Sequence, residues 1–136
     1  MTRRERRECL FKMLFQQEFF QTEELKGQQE LFLQDMELRE KQESELTDYV
    51  NKIIKVLPEI DEKINQTAKG WKTSRMSKVD LTLLRLAIYE IAYDESVPNK
   101  VAINEAVELC KIYGGNDSSS FVNGILGKLV RDIEGK

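Results

Sequence analysis

Four arginines fall within the first seven residues, as Arg3-Arg4-Glu5-Arg6-Arg7. A guanidinium is a planar fork of donors that fits a phosphate and can lie flat on a base. Four of them within one and a half helical turns concentrate positive potential at one end of the chain. That pattern suits a polyanion such as RNA; it also suits a basic turn that merely decorates the surface, and the cluster alone leaves both open. The charge distribution adds contrast. Residues 1–12 hold Arg3, Arg4, Arg6, Arg7 and Lys12 against Glu5 and Glu8, whereas residues 21–48 hold nine acids against three bases. With a net charge of −3 over 136 residues, general nucleic-acid binding is disfavoured and a one-ended contact is favoured. The acidic middle reads as a solvated face.

Covalent chemistry has little material here. The chain has no histidine, which removes the commonest general base and the commonest metal ligand. No Walker loop, G-x-S-x-G elbow or G-x-G-x-x-G turn occurs. Cys9 and Cys110 form no C-x-x-C pair and no zinc set, so two packed, reduced thiols are expected and a disulfide between them is disfavoured. Glu105 and Glu108 belong to an ordinary polar helix face. The residues point to binding rather than catalysis, without metal or cofactor. No apolar run approaches the roughly 18 residues of a membrane span and no signal peptide is present, so a soluble, cytoplasmic chain is expected.

The elements that would carry such a site are helices. Hydrophobic residues at 40%, with 7 glycines and 2 prolines, leave little for the turns of a β fold. A first helix is predicted from about Thr2 to Phe20, with Leu10, Met13 and Leu14 as core stripe and Phe11, Phe15 and Phe19 as a second, core-facing row. Gly27 and polar neighbours break the pattern over 21–28, before a weaker helix with Leu31, Phe32, Met36 and Leu38. Ser44 is a candidate cap for a third helix that turns Leu46, Tyr49, Val50, Ile53, Ile54 and Leu57 inward. Pro58 suits the first turn of a fourth, which shows Ile60, Ile64, Ala68 and Trp71 and exits at Lys69-Gly70-Trp71-Lys72. Ser77 and Asp80 have capping-box spacing ahead of LTLLRLAIYEIAY, apolar on nearly every side and therefore the expected centre. Arg85 and Glu90 interrupt it and call for internal partners.

The last third reads as helix, break, helix. Ala102, Ala106, Leu109 and Tyr113 recur at helical spacing beside Ile103, Val107 and Cys110, and Phe121, Val122, Ile125, Leu126, Leu129, Val130 and Ile133 follow. Between them, Gly114-Gly115 is expected to supply positive-φ residues, and Asn116 and Asp117 to cap the final helix. Gly124 inside that helix suggests close approach by a neighbour. The expectation is an all-α chain of about seven helices with no sheet and no repeat.

The stretch KVAINEAVELCKIYGGNDSSSFVNGIL, residues 100–126, resembles the C-terminal signature of the NusB family, bacterial transcription antitermination factors. VAINEAVEL and FVNGIL at this separation are its most specific parts, and with the arginine-rich first helix the resemblance spans essentially the whole chain. It implies a single RNA-binding domain of two helical subdomains, about 1–72 and 73–136. It also implies that boxA RNA, a single-stranded element of ribosomal and phage leader transcripts, is held jointly with the ribosomal protein NusE, as part of an RNA polymerase antitermination complex. Carried over by motif, Arg3, Arg4 and Arg7 match the first-helix arginines, with Arg6 beside them, while Glu5 stands where a basic residue is common. Phe15 replaces a common tyrosine, Tyr113 takes an aromatic place, and Asp117 and Phe121 match the acid and aromatic of the motif. Ser120 stands where lysine is typical. Asp80 and Arg85 are the implied contacts for NusE. Two alternatives stay open: an accessory domain linked to a ribosomal-RNA methyltransferase, and a structural homodimer module.

Overall fold

In the computed structural model of the chain, residues 1–20, 22–36, 38–70 and 72–135 are described; they form seven α-helices and one 3-10 turn, with no strand among them. The helices are α1 (Arg3–Gln16), α2 (Thr22–Asp35), α3 (Glu40–Lys55), α4 (Leu57–Thr67), α5 (Lys78–Tyr93), α6 (Asn99–Tyr113) and α7 (Ser118–Ile133). The all-α expectation holds. The chain divides into two units, residues 1–55 and 56–136. Helix α4 groups with the second unit, where its apolar face packs on α5 and α7.

In the first unit, α1 packs against both α2 and α3. Thr2 opens α1 with a full capping box: its Oγ1 accepts from the Glu5 N–H at 3.0 Å, and Glu5 Oε1 accepts from the Thr2 N–H at 2.9 Å. Cys9, Leu10, Phe11, Met13 and Leu14 are buried. The helix stops at Gln16, short of Phe20. The aromatic row then climbs out of the core, with Phe11 buried, Phe15 half-buried and Phe19 58% exposed. Phe19 is therefore not core, because it lies beyond the last helical turn and the 3.6-residue period no longer aims it inward.

The region expected to break the pattern is helical from Thr22 onward. Glu23 and Glu24 in the first turn complement the positive end of the helix dipole. The buried stripe is Leu25, Gln29 and Leu33 at spacing four, which outweighs the roughly 1 kcal/mol that Gly27 costs. Leu31 and Met36 point outward instead. Helix α3 begins four residues before Ser44, where Gln42 Oε1 accepts from the Arg39 N–H at 3.1 Å; Leu46, Val50 and Ile53 are buried as expected.

In the second unit, Pro58 occupies the first turn of α4, where its missing N–H costs no helical bond. Ile60, Ile64 and Ala68 are buried, while Trp71 lies outside the described residues. Gly70 leaves α4 at φ +87°, a conformation that a Cβ disfavours. The Thr73 N–H donates to Asn65 Oδ1 at 3.1 Å, holding the Thr73–Arg75 3-10 turn against α4. Ser77 Oγ then accepts from the Asp80 N–H at 3.1 Å and starts α5. Ten successive residues of α5, from Leu81 to Glu90, are buried, and the helix packs on α4, α6 and α7. Arg85 meets Asp61 of α4 with both arms of its fork, Nε to Oδ1 at 2.9 Å and Nη2 to Oδ2 at 2.8 Å.

Two glycine expectations are corrected. Gly114 ends α6 at φ −92° and ψ 179°, and neither it nor Gly115 has positive φ. Glycine is needed at 114 for space: a Cβ there would lie 2.6 Å from Ser118 Cβ and Oγ and 2.8 Å from the Cys110 carbonyl oxygen. Gly124, by contrast, is exposed with nothing within 4 Å of a Cβ, so no neighbour approaches it. Gly124→Ala is accordingly expected to raise stability by about 0.5–1 kcal/mol. A urea midpoint at or below that of the wild type would contradict this.

Candidate nucleic-acid interface

The arginine cluster divides by depth. Arg3 and Arg4 are exposed on the first turn of α1. Arg6 is half-buried, its guanidinium carbon 4.6 Å from the centre of the Tyr49 ring of α3. Arg7 is 6% exposed, so it does not share the open position of Arg3 and Arg4. Its position three, four and seven residues before Leu10, Phe11 and Leu14 puts it on the buried stripe of the same helix. Glu5, the acid interrupting the run, is the N3 member of the capping box, and the Thr2 backbone and hydroxyl bonds hold its carboxyl below the usual range. Phe15 lies three turns beyond Arg4 on the same face, about 17 Å along the axis. Its ring stands edge-on to Phe19 with centroids 5.0 Å apart.

The second unit holds a groove of about 520 Å³. One wall is the 3-10 turn and the start of α5, with Arg75, Met76, Ser77 and Asp80; the other is the α6–α7 connection and first turn of α7, with Gly115, Asn116, Asp117, Ser118 and Phe121. Asp80, expected to face a protein partner, thus shares one groove with Asp117 and Phe121. Arg75 and Met76 belong to it as well. Sequence reading missed both, because they come from a short turn some 40 residues away and lie on no periodic face. Tyr113 is the last residue of α6, half-buried just before the connection. Arg85 does not join the groove; it is 9% exposed and engaged by Asp61.

The connection is folded by Ser118, whose Oγ accepts from the Gly115 N–H at 2.9 Å. Asp117 sits at the N-cap of α7 yet makes no side-chain cap bond, contrary to the capping role expected for it, because Ser118 closes the turn one residue later. Its exposed carboxylate is left to the groove. Asp80 Oδ1 is closed off from solvent with no hydrogen-bond partner. Behind it, burial and then the Asp80 charge push the Cys110 thiol up to about 12, so Cys110 is a packed thiol rather than a nucleophile.

Two carboxylates against one guanidinium make this groove a poor phosphate cradle. They suit the amino edge of a base, which carboxylates accept from, with the Phe121 ring offering a stacking face. Phosphates fit Arg75 and, on the other unit, Arg3 and Arg4. Among the described residues no group of three metal-ligating side chains occurs, and no helix is long and apolar enough to cross a membrane.

The sequence pattern of the NusB family matches residues 4–131. The transcription antitermination protein NusB of Lachnoclostridium phytofermentans is 50% identical over 131 residues, which cover 96% of this chain and 99% of that protein. Its counterpart in Acetivibrio thermocellus is 47% identical over 131 residues, covering 96% and 90%. Among solved structures, T. maritima NusB matches with a TM-score of 0.84 at 35% identity, over 97% of this chain and 92% of that one. A chain in the crystal structure of a plectonemic RNA supercoil matches with a TM-score of 0.83 over 99% of both; at 21% identity this is a likeness of fold alone.

Proposed function

The chain belongs to the NusB family, and from that premise we propose that it is a transcription antitermination factor that binds single-stranded boxA RNA together with the ribosomal protein NusE. The observation that carries the RNA reading is the groove of the second unit, where Asp80, Asp117 and Phe121 converge. Each has a part in it: the carboxylates accept from base amino groups, and the ring stacks on a base. Arg75 holds phosphate on the second unit and Arg3 and Arg4 on the first, where Phe15 offers a further stacking surface. Arg6 acts behind them, fixing α1 through its contact with the Tyr49 ring, and Arg7 is buried on the core stripe of the same helix. NusE is held by the second unit, where Arg85 serves from inside by anchoring α5 to α4. The mechanism is tethering within the antitermination complex, without bond making or breaking.

The test is an RNA titration across salt concentrations. Arg3→Gln/Arg4→Gln changes two exposed positions, so stability is expected to stay within about 0.5 kcal/mol. Affinity for boxA RNA is expected to fall about tenfold, and the log–log salt slope to flatten by roughly 0.7 for each phosphate no longer held. NusE binding measured without RNA should persist. Full boxA affinity in this variant would remove α1 from the RNA site.

A further inference from the structure

The first unit carries a second kind of surface, opposite in sign to its arginine turn. A groove of about 390 Å³ lies along α2 and α3, and its lining includes Lys26, Gln29, Glu30, Glu40, Glu43 and Asp48. Four carboxylates against one ammonium give it a negative potential, which repels a phosphate backbone and attracts cationic side chains. Acidic side chains alone would be an ordinary solvated face. Gln29 makes the difference: it is 4% exposed, it lines the groove, and its Nε2 has no hydrogen-bond partner. A buried amide N–H without an acceptor is unfavourable and uncommon, and a ligand carbonyl would satisfy it. Leu33, also in the lining, offers apolar surface for the stem of a long basic side chain.

The cation that fits is organic, since the described residues hold no cluster of three metal-ligating groups. A lone amide donor under an acidic rim matches a peptide, which presents main-chain carbonyls and basic side chains together. We propose that this groove docks a lysine- or arginine-bearing segment of another protein, with a main-chain carbonyl accepting from Gln29 and the basic side chains pairing with Glu30, Glu43 and Asp48. The site is independent of the RNA groove and does not rest on the family reading.

The experiment titrates the full chain with a capped, labelled peptide of alternating lysine and alanine, with spermine and boxA RNA as comparison ligands. Peptide binding is expected to weaken with salt and to drop more than tenfold in Glu30→Gln/Glu43→Gln/Asp48→Asn. Gln29→Leu keeps every charge and is the sharper probe. It should weaken the peptide about tenfold, the worth of one hydrogen bond, while raising the urea midpoint by removing a buried, unbonded amide. Gln29→Met serves the same purpose if the leucine variant does not fold. Unchanged peptide affinity in the Gln29 variants would reduce the groove to long-range attraction and overturn the proposal. Spermine binding with equal dependence on Gln29 would assign the site to polyamines, and RNA binding lost on neutralising the acids would assign it to nucleic acid; either result overturns the peptide.

Discussion

Asp61→Ala is expected to lower the stability of the chain by about 3 kcal/mol. Arg85 is 9% exposed on the central helix α5, and both arms of its fork reach the Asp61 carboxylate, at 2.9 and 2.8 Å. Breaking a buried pair from one side typically costs 3–5 kcal/mol, because the remaining charge stays in a poorly solvating interior. The lower end applies here, since the Asp61 side chain is 25% exposed and water can reach its place. Replacing both partners, as Asp61→Ala/Arg85→Met, should recover part of the loss, because the guanidinium is then removed together with the carboxylate it faces. Urea denaturation followed by circular dichroism measures all three variants. A loss below about 1 kcal/mol for Asp61→Ala would put the pair among surface ion pairs.

What could be read from the sequence follows from how many physical signals agreed at each place. Helix α5 was legible because its apolar residues run round the whole helix, Ser77 and Asp80 mark its start, and no alternative packing hides so many side chains. The start and the buried face of α2 were not, because one member of its buried stripe is Gln29 and its interior carries Gly27. The stripe Leu25–Gln29–Leu33 therefore competes poorly, by residue type alone, with the outward residues Leu31 and Met36.

The candidate RNA residues show the same division. Asp117 and Phe121 lie four apart at the start of one helix, so their nearness was visible. That Asp80 and Arg75 stand across the groove from them is a tertiary fact, set by how α5 packs on α6 and α7. Within the arginine run, charge alone could not rank the four. The period could: Arg7 shares the stripe of Leu10 and Leu14 and is buried, whereas Arg3, a turn earlier on that stripe, has run past the core. A run of identical residues invites one role for all of them, and here helical geometry gives them different work.

The connection between α6 and α7 yields the second large effect. Gly114→Ala is expected to cost about 2–3 kcal/mol, in the upper part of the range for overpacking a tight site. The backbone angles at 114 suit any residue, so the cost is steric. The new Cβ would sit 2.6 Å from Ser118 Cβ and Oγ and 2.8 Å from the Cys110 carbonyl oxygen. That carbonyl accepts from the Gly114 N–H at 2.8 Å, and Ser118 is 6% exposed with its Oγ bonded to the Gly115 N–H. Neither neighbour can yield without losing a hydrogen bond. Any shift that relieves the clash moves the first turn of α7, and with it Asp117 and Phe121. Protein that is still folded in buffer should therefore also bind boxA RNA more weakly. Ser118→Gly removes the opposing Cβ and hydroxyl, so Gly114→Ala/Ser118→Gly should lose less than the two single changes together. Gly124→Ala makes the same chemical change in open space on α7 and is the control of opposite sign. If Gly114→Ala unfolds within about 0.5 kcal/mol of the wild type, the connection is not close-packed. The placement of Asp117 and Phe121 would then depend on something other than the Gly114–Ser118 contact.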